Sequence, residues 1–283
     1  MHKLGAHLSI AGGYEKAIKS ISKIGGNCLQ IFSASPRQWQ FANPSENQIE
    51  TFVETKKEYT INPVYFHASY LINLGFDNGV GKLSVKNLIN ELNLAEKMQI
   101  RGSIVHLGSL KRDKDALIQD EAYSDLIINI KNILSKTPKD ILFIIENAGT
   151  NKVGKTLNEI ALIINSVDDD RLRVCLDTCH LHAAGYHLTT HKDFEEFLST
   201  FDSLIGLKKL ELVHMNDSRD LPGSFRDRHE NIGKGNVGLD VFKIFLNNPK
   251  TKHLPFIIET PGFEKKGPDK KNLDILKSLL SNQ

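Results

Sequence analysis

Six short apolar runs in this 283-residue chain each end in a lone imidazole or carboxylate. The runs are Val64-Tyr65-Phe66, Ser103-Ile104-Val105, residues 141–145, Val174-Cys175-Leu176, Glu211-Leu212-Val213 and Phe256-Ile257-Ile258. The residues that follow them are His67, His106, Glu146, Asp177, His214 and Glu259. Strands buried on both faces read as nearly continuous apolar runs. A single polar side chain at the end of each, six times over, is not a packing pattern. It is how a parallel barrel aims side chains into the mouth at the carboxyl ends of its strands. His180, three residues after Asp177, and the pair Asp227 and His229 extend the set to nine. Nine such groups converging on one mouth point to a multinuclear metal site.

The rest of the chain alternates in the same sense. Candidate strands fall at 4–9, 28–33, 63–68, 103–107, 141–147, 173–177, 209–215 and 256–260. Apolar residues at helical spacing fall at 14–24, 45–59, 80–98, 122–134, 157–167, 194–204, 239–246 and 273–280. Eight strands alternating with eight helices predict a (β/α)8 TIM barrel, an α/β fold, as a single domain over 1–283. Such a barrel takes roughly 250 residues. One connection, 216–238, is long, polar and aperiodic, as functional loops are.

Bulk properties narrow the function classes. Net charge is +2 and the pI about 8.3, so contact with nucleic acid must come from a local basic surface. Nothing predicts a signal peptide or a membrane span. Cys28, Cys175 and Cys179 form neither a disulfide framework nor a metal knuckle. A cytoplasmic, reducing location is expected.

Each motif has an ordinary reading. Asp177-x-x-His180 can be a helix cap and a surface histidine; both side chains face the mouth only if the turn is helical. Asp227 and His229, two apart, point the same way in an extended loop. Glu146 and Glu259 could be salt-bridge partners. Cys179 is expected to be packed rather than reactive, and His182, His187 and His191 to lie on surface or turns, with His2 and His253 exposed. His7 ends the first strand and could support the ligands or contact a phosphate. The joint pattern favours metal. Imidazoles and carboxylates without thiolate suit zinc and nearby first-row ions, whereas magnesium and calcium prefer oxygen. Nine ligands exceed what one open zinc site uses. Three dications would outweigh the four carboxylates and leave a site that attracts an anion such as a phosphate diester.

A competing pattern spans 149–156: Gly149-Thr150-Asn151-Lys152-Val153-Gly154-Lys155-Thr156 matches the phosphate-binding P-loop, between a strand and a helix. A nucleotide hydrolase, however, leaves His67, His106, His214, Asp227, His229 and Glu259 idle. The expectation is a glycine-containing loop whose lysines, Lys155 among them, face solvent or a phosphate backbone.

Three blocks carry a resemblance. They are His67-Ala68-Ser69-Tyr70-Leu71-Ile72-Asn73-Leu74-Gly75; Val174-Cys175-Leu176-Asp177-Thr178-Cys179-His180 running into Ala183-Ala184-Gly185-Tyr186; and His214-Met215-Asn216-Asp217-Ser218-Arg219 with Gly223-Ser224, Asp227-Arg228-His229 and Ile232-Gly233-Lys234-Gly235. The opening Gly5-Ala6-His7-Leu8-Ser9 and the closing Ile258-Glu259-Thr260-Pro261-Gly262 agree. From end to end the chain resembles endonuclease IV, the zinc-dependent apurinic/apyrimidinic endonucleases. Arg219, where a lysine is common, is a small departure. The resemblance implies three zinc ions per chain. Glu146 would bridge one ion held with His67 and His106 and another held with Asp177, His214 and Glu259, while His180, Asp227 and His229 hold the third. Glu146, Asp177 and Glu259 would be the catalytic carboxylates. Arg37 and Gln38 would enter the minor groove, and Tyr70 and Leu71 would fill the space left by a flipped-out sugar. The implied partner is duplex DNA with abasic sites, cut 5′ to the lesion by a monomer to leave a 3′-hydroxyl and a 5′-deoxyribose phosphate, with no protein nucleophile. Two rivals remain at this point. A metal-dependent sugar isomerase on the same barrel would use Glu146, Asp177, His214 and Glu259 alone. A lesion-binding protein would hold its zinc structurally.

Overall fold

The computed structural model describes residues 2–110 and 123–281. Eight strands close into an all-parallel barrel. In chain order they are β1 (Lys3–His7), β2 (Cys28–Phe32), β3 (Val64–His67), β4 (Gly102–Val105), β5 (Leu142–Glu146), β6 (Leu172–Asp177), β7 (Leu210–His214) and β10 (Pro255–Ile258). Each pairs with its neighbours in that order, and β10 closes onto β1 with Lys3 opposite Pro255 and Ala6 opposite Ile258. The two-residue strands β8 (Asp217–Ser218) and β9 (His229–Glu230) pair antiparallel within the long connection that the sequence left aperiodic.

Among the described residues the helices are α1 (Tyr14–Lys23), α2 (Glu46–Glu58), α3 (Gly79–Lys97), α4 (Ser124–Ser135), α5 (Leu157–Val167), α6 (Thr178–Ala183), α7 (His191–Leu204), α8 (Leu239–Asn247) and α9 (Lys270–Ser278). Local chemistry starts several of them. Ser45 with Gln48, and Thr156 with Glu159, form reciprocal capping boxes, while Asn78, Thr190 and Asp269 cap α3, α7 and α9. Expected and observed ends differ by a few residues, α9 starting earlier because Asp269 caps it. Residue 122, where the fourth helix was expected to start, lies outside the described residues. The added helix, α6, has six residues, too few for an apolar period to show.

Side chains alternate across each strand. One set, with Leu29, Ile31, Phe66, Phe143, Val174, Val213 and Phe256, packs outward against the helices in the main core. The other set faces the barrel axis, where Cys28, Tyr65, Ile104, Leu142, Ile144, Cys175, Leu212 and Ile257 form a separate interior cluster. Two positions beyond Cys28, Tyr65, Ile104, Ile144, Cys175, Leu212 and Ile257, the same inward row reaches the mouth at Gln30, His67, His106, Glu146, Asp177, His214 and Glu259. Strand β1 adds His7. All eight strands therefore contribute to the mouth, where the sequence singled out six.

Candidate metal centre

The nine candidate side chains converge in three groups whose ligand atoms lie within 4.8 Å of one another: His67, His106 and Glu146; Glu146, Asp177, His214 and Glu259; and His180, Asp227 and His229; a fourth grouping, of Asp177, Cys179 and His229, overlaps the last two. Glu146 belongs to two of them. Its Oε2 lies 3.1 Å from Nε2 of both His67 and His106, and its Oε1 lies 3.1 Å from His214 Nδ1. A carboxylate that turns one oxygen to each group is placed to bridge two cations.

Asp177 is at once a cap and a member of the site. Its Oδ1 accepts from the His180 backbone amide at 3.0 Å, which begins α6 and swings His180 into the mouth. Its Oδ2 remains 3.7 Å from His214 Nδ1 and from His229 Nε2. Asp227 and His229 point the same way, as an extended segment requires, and Asp227 Oδ1 lies 3.0 and 3.2 Å from Nε2 of His180 and His229. Arg228, between them, turns away to pair with Asp220.

The tautomers of the third group favour a cation. His180 Nδ1 donates to the Asn147 carbonyl at 2.9 Å and His229 Nδ1 to the Glu259 carbonyl at 3.3 Å. Both Nε2 atoms are buried and face the Asp227 carboxylate without an aligned hydrogen bond; on a neutral ring each would carry the lone pair. Two such imidazole nitrogens and a carboxylate around one point fit a metal ion, with second nitrogens anchored as metal-binding histidines usually are.

The electrostatics agree. Burial alone would push the Glu146 carboxyl up, yet the imidazoles of His106, His214 and His67 hold it well below the usual range. Burial alone would lower His67 and His229. The adjoining carboxylates, Glu146 for one and Asp227 with Asp177 for the other, outweigh it and lift both to about 9. Burial dominates at His106, with His180 and His67 adding to it, and drops it to about 4. A mouth that raises an imidazole's affinity for a proton attracts positive charge, and a metal would displace that proton. Cys179 packs next to the site, and burial pushes its thiol above the ordinary range, so it stays protonated.

Above the groups opens a cavity of about 1150 Å³, lined among others by His7, Arg37, Tyr70, Pro261 and Lys266. Tyr70 is 60% exposed and stands edge-on to Phe32, beside His67. Ser69 Oγ donates to the Pro36 carbonyl at 2.8 Å, tying the Tyr70 loop to the Arg37 loop. Gln38 is exposed and Leu71 half-buried, and neither lines the cavity.

One expectation changes. His182, expected at the surface, is buried, and its Nε2 lies 3.0 Å from the Asp220 carbonyl; α6 carries it inward under the long connection. The stretch 149–156 does not form an open phosphate cradle. The amides of Lys155 and Thr156 are taken by Glu159 Oε2 at 3.1 and 3.3 Å, and Thr156 caps α5. Gly149 instead allows close passage, since a Cβ there would sit 2.9 Å from His180 Cα. Lys155 bonds Asn151 Oδ1 and lies over the Phe225 ring.

Sequence reasoning also missed polar residues that hold the site. Asn216 donates to Asp177 Oδ2 and accepts from the Glu259 amide, both at 2.7 Å. Asn147 Oδ1 accepts from the Asp177 amide at 2.6 Å. Asp217, fully buried, accepts from the amides of Ser218, Gly233, Gly235 and Val237 at 2.9 to 3.0 Å and so folds the long connection. Gly235 must be glycine, because a Cβ there would meet the Ser218 carbonyl oxygen at 2.3 Å. The available signal was position alone: Asn147 and Asn216 adjoin candidate ligands.

Comparison with known proteins matches this architecture. The family described as the xylose isomerase-like TIM barrel (AP endonuclease 2) matches residues 18–279. The probable endonuclease 4 of Persephonella marina is 35% identical, covering 99% of this chain and 98% of its own. The crystal structure of endonuclease IV from Thermus thermophilus superimposes with a TM-score of 0.84 at 32% identity, covering 98% of each chain. A D-tagatose 3-epimerase-like protein, at 19% identity and a TM-score of 0.71, shares the barrel fold. The chain belongs to the endonuclease IV family.

Proposed function

We propose that this protein is a DNA-repair endonuclease that hydrolyses the phosphodiester 5′ to an abasic site in duplex DNA, with three zinc ions in the barrel mouth. The observation that carries the reading is the sharing of Glu146 between two ligand groups, beside a third group in which two buried imidazole nitrogens face one carboxylate. His67 and His106 would hold one ion, Asp177, His214 and Glu259 a second, and His180, Asp227 and His229 the third, with Glu146 common to the first two. Bound there, zinc supplies Lewis-acid polarisation of the diester and a nucleophile from water at neutral pH.

The chain's own residues supply the rest. The Asp177 carboxylate is fixed by Asn216 and the His180 amide of α6, and its backbone by Asn147, before substrate arrives, which is the preorganisation hydrolysis needs. Arg37 and Lys266 at the rim place positive charge for backbone phosphates. Tyr70, exposed above His67, would fill the space left by a flipped-out sugar. The thiols of Cys175 and Cys179 do not compete as nucleophiles, because both are buried and shifted toward the neutral form. A sugar isomerase would leave His67, His106, His180, Asp227 and His229 without a role.

The test is incubation of purified, chelator-free protein with a duplex carrying one abasic site, together with elemental analysis. Incision 5′ to the lesion and about three zinc ions per chain are expected from the ligand set. One metal per chain, or an intact duplex, would overturn the reading.

A further inference from the structure

Gln30 is a polar residue inside the apolar run of β2, completely buried at the level of the candidate ligands. Its amide joins two of them. Oε1 lies 2.7 Å from His214 Nε2, and Nε2 lies 2.6 Å from Glu259 Oε1. The amide cannot be turned over, because its oxygen would then face the Glu259 carboxylate, acceptor against acceptor. An amide oxygen only accepts, so His214 carries a proton on Nε2. Its Nδ1 faces Glu146 Oε1, Glu259 Oε2 and Asp177 Oδ2 at 3.1, 3.6 and 3.7 Å. The second contact orients Glu259: with Oε1 tied to Gln30, Oε2 is the oxygen turned toward His214. His7 Nδ1 reaches the same Oε1 at 2.9 Å.

We propose that Gln30 is a positioning residue for the group of Glu146, Asp177, His214 and Glu259, selecting His214 Nδ1 and Glu259 Oε2 as its metal-facing atoms. The inference rests on the metal reading of the site. Residues that fix the free nitrogen of a ligating histidine are worth roughly 10- to 100-fold in metal affinity. Gln30 does this for a histidine and a carboxylate at once, from a strand whose own last residues are not ligands.

The experiment compares wild type with Gln30→Leu, which keeps volume and removes both hydrogen bonds. Zinc affinity is read by chelator competition, cobalt(II)-loaded protein by its visible spectrum, and the apoproteins by thermal melting. The expected result is one class of site weakened roughly 10- to 100-fold with the others retained, and an altered cobalt spectrum in a protein that melts cooperatively. Gln30→Met, unbranched and close in length, carries the same expectation should the leucine variant not fold. A folded variant with wild-type zinc affinity and cobalt spectrum overturns the inference. So would both variants failing to fold as apoproteins, which would make Gln30 a structural residue. Wild-type protein that binds neither zinc nor cobalt sinks the metal reading itself, a failure visible before any variant is made.

Discussion

Six of the nine candidate ligands stand at the ends of barrel strands, whereas His180, Asp227 and His229 stand on a short helix and a long connection. The two halves are held by different means. Strand-borne side chains inherit their positions from the hydrogen-bonded ladder and the core beneath it, which the barrel maintains for its own stability. The loop-borne half needs residues with no other task. Asp217 gathers four backbone amides, and Asp220 pairs with Arg228 so that Asp227 and His229 face inward. Burial follows the division in part: Glu146, Asp177 and His214 are sealed, while the Asp227 side chain is 39% exposed. A ligand on a strand is secured by the whole fold, and one on a loop by a few hydrogen bonds.

The largest expected effect breaks the strand-borne half. Glu146→Gln removes the charge shared by two groups. A loss of about 4 kcal/mol of transition-state stabilisation would slow single-turnover incision by roughly 10³-fold. Retained zinc should fall in the same preparation, and near-normal turnover per folded molecule would remove Glu146 from the chemistry.

Asp217→Asn strikes the loop-borne half alone. An amide nitrogen set against buried backbone N–H groups should destabilise the protein by about 1–3 kcal/mol. Chelator dialysis should then strip the ion assigned to His180, Asp227 and His229 while the strand-borne ions stay, and incision should drop by about 10- to 100-fold. Equal loss of all metals, measured beside the melting temperature, would show that the halves are not independent.

Smaller again is the effect of leaving both halves intact and changing the rim. Arg37→Ala and Tyr70→Ala should each weaken binding to abasic duplex by about tenfold, or roughly 1.4 kcal/mol, with zinc content unchanged. Zinc loss in either variant would place the rim loops closer to the metals than their geometry suggests.

The smallest effect is expected at Lys155, which packs on Phe225 and belongs to no ligand group. Lys155→Ala should leave incision within a few-fold of wild type, and ATP should neither bind nor stimulate. Saturable ATP binding lost in this variant would restore the phosphate-cradle reading of 149–156.

The sequence by itself determined the barrel and the strand-borne candidate ligands. An apolar run of strand length and the polar residue at its end lie within a few positions of each other, and the closed parallel architecture turns that local order into a shared direction. It also marked His180, Asp227 and His229, because a spacing of three in a helical turn and of two in an extended segment each fix a common face. Only the tertiary structure decided the rest. Gln30 reads as a blemish in β2 until His214, 184 residues later, is folded against it. Asp217 reads as one more acid in a polar loop until Gly233, Gly235 and Val237 turn their amides onto it. His182 reads as exposed until α6 forms. Hydrogen-bond partners brought together from distant parts of the chain leave no period and no spacing in the sequence, so their roles exist only once the barrel has closed.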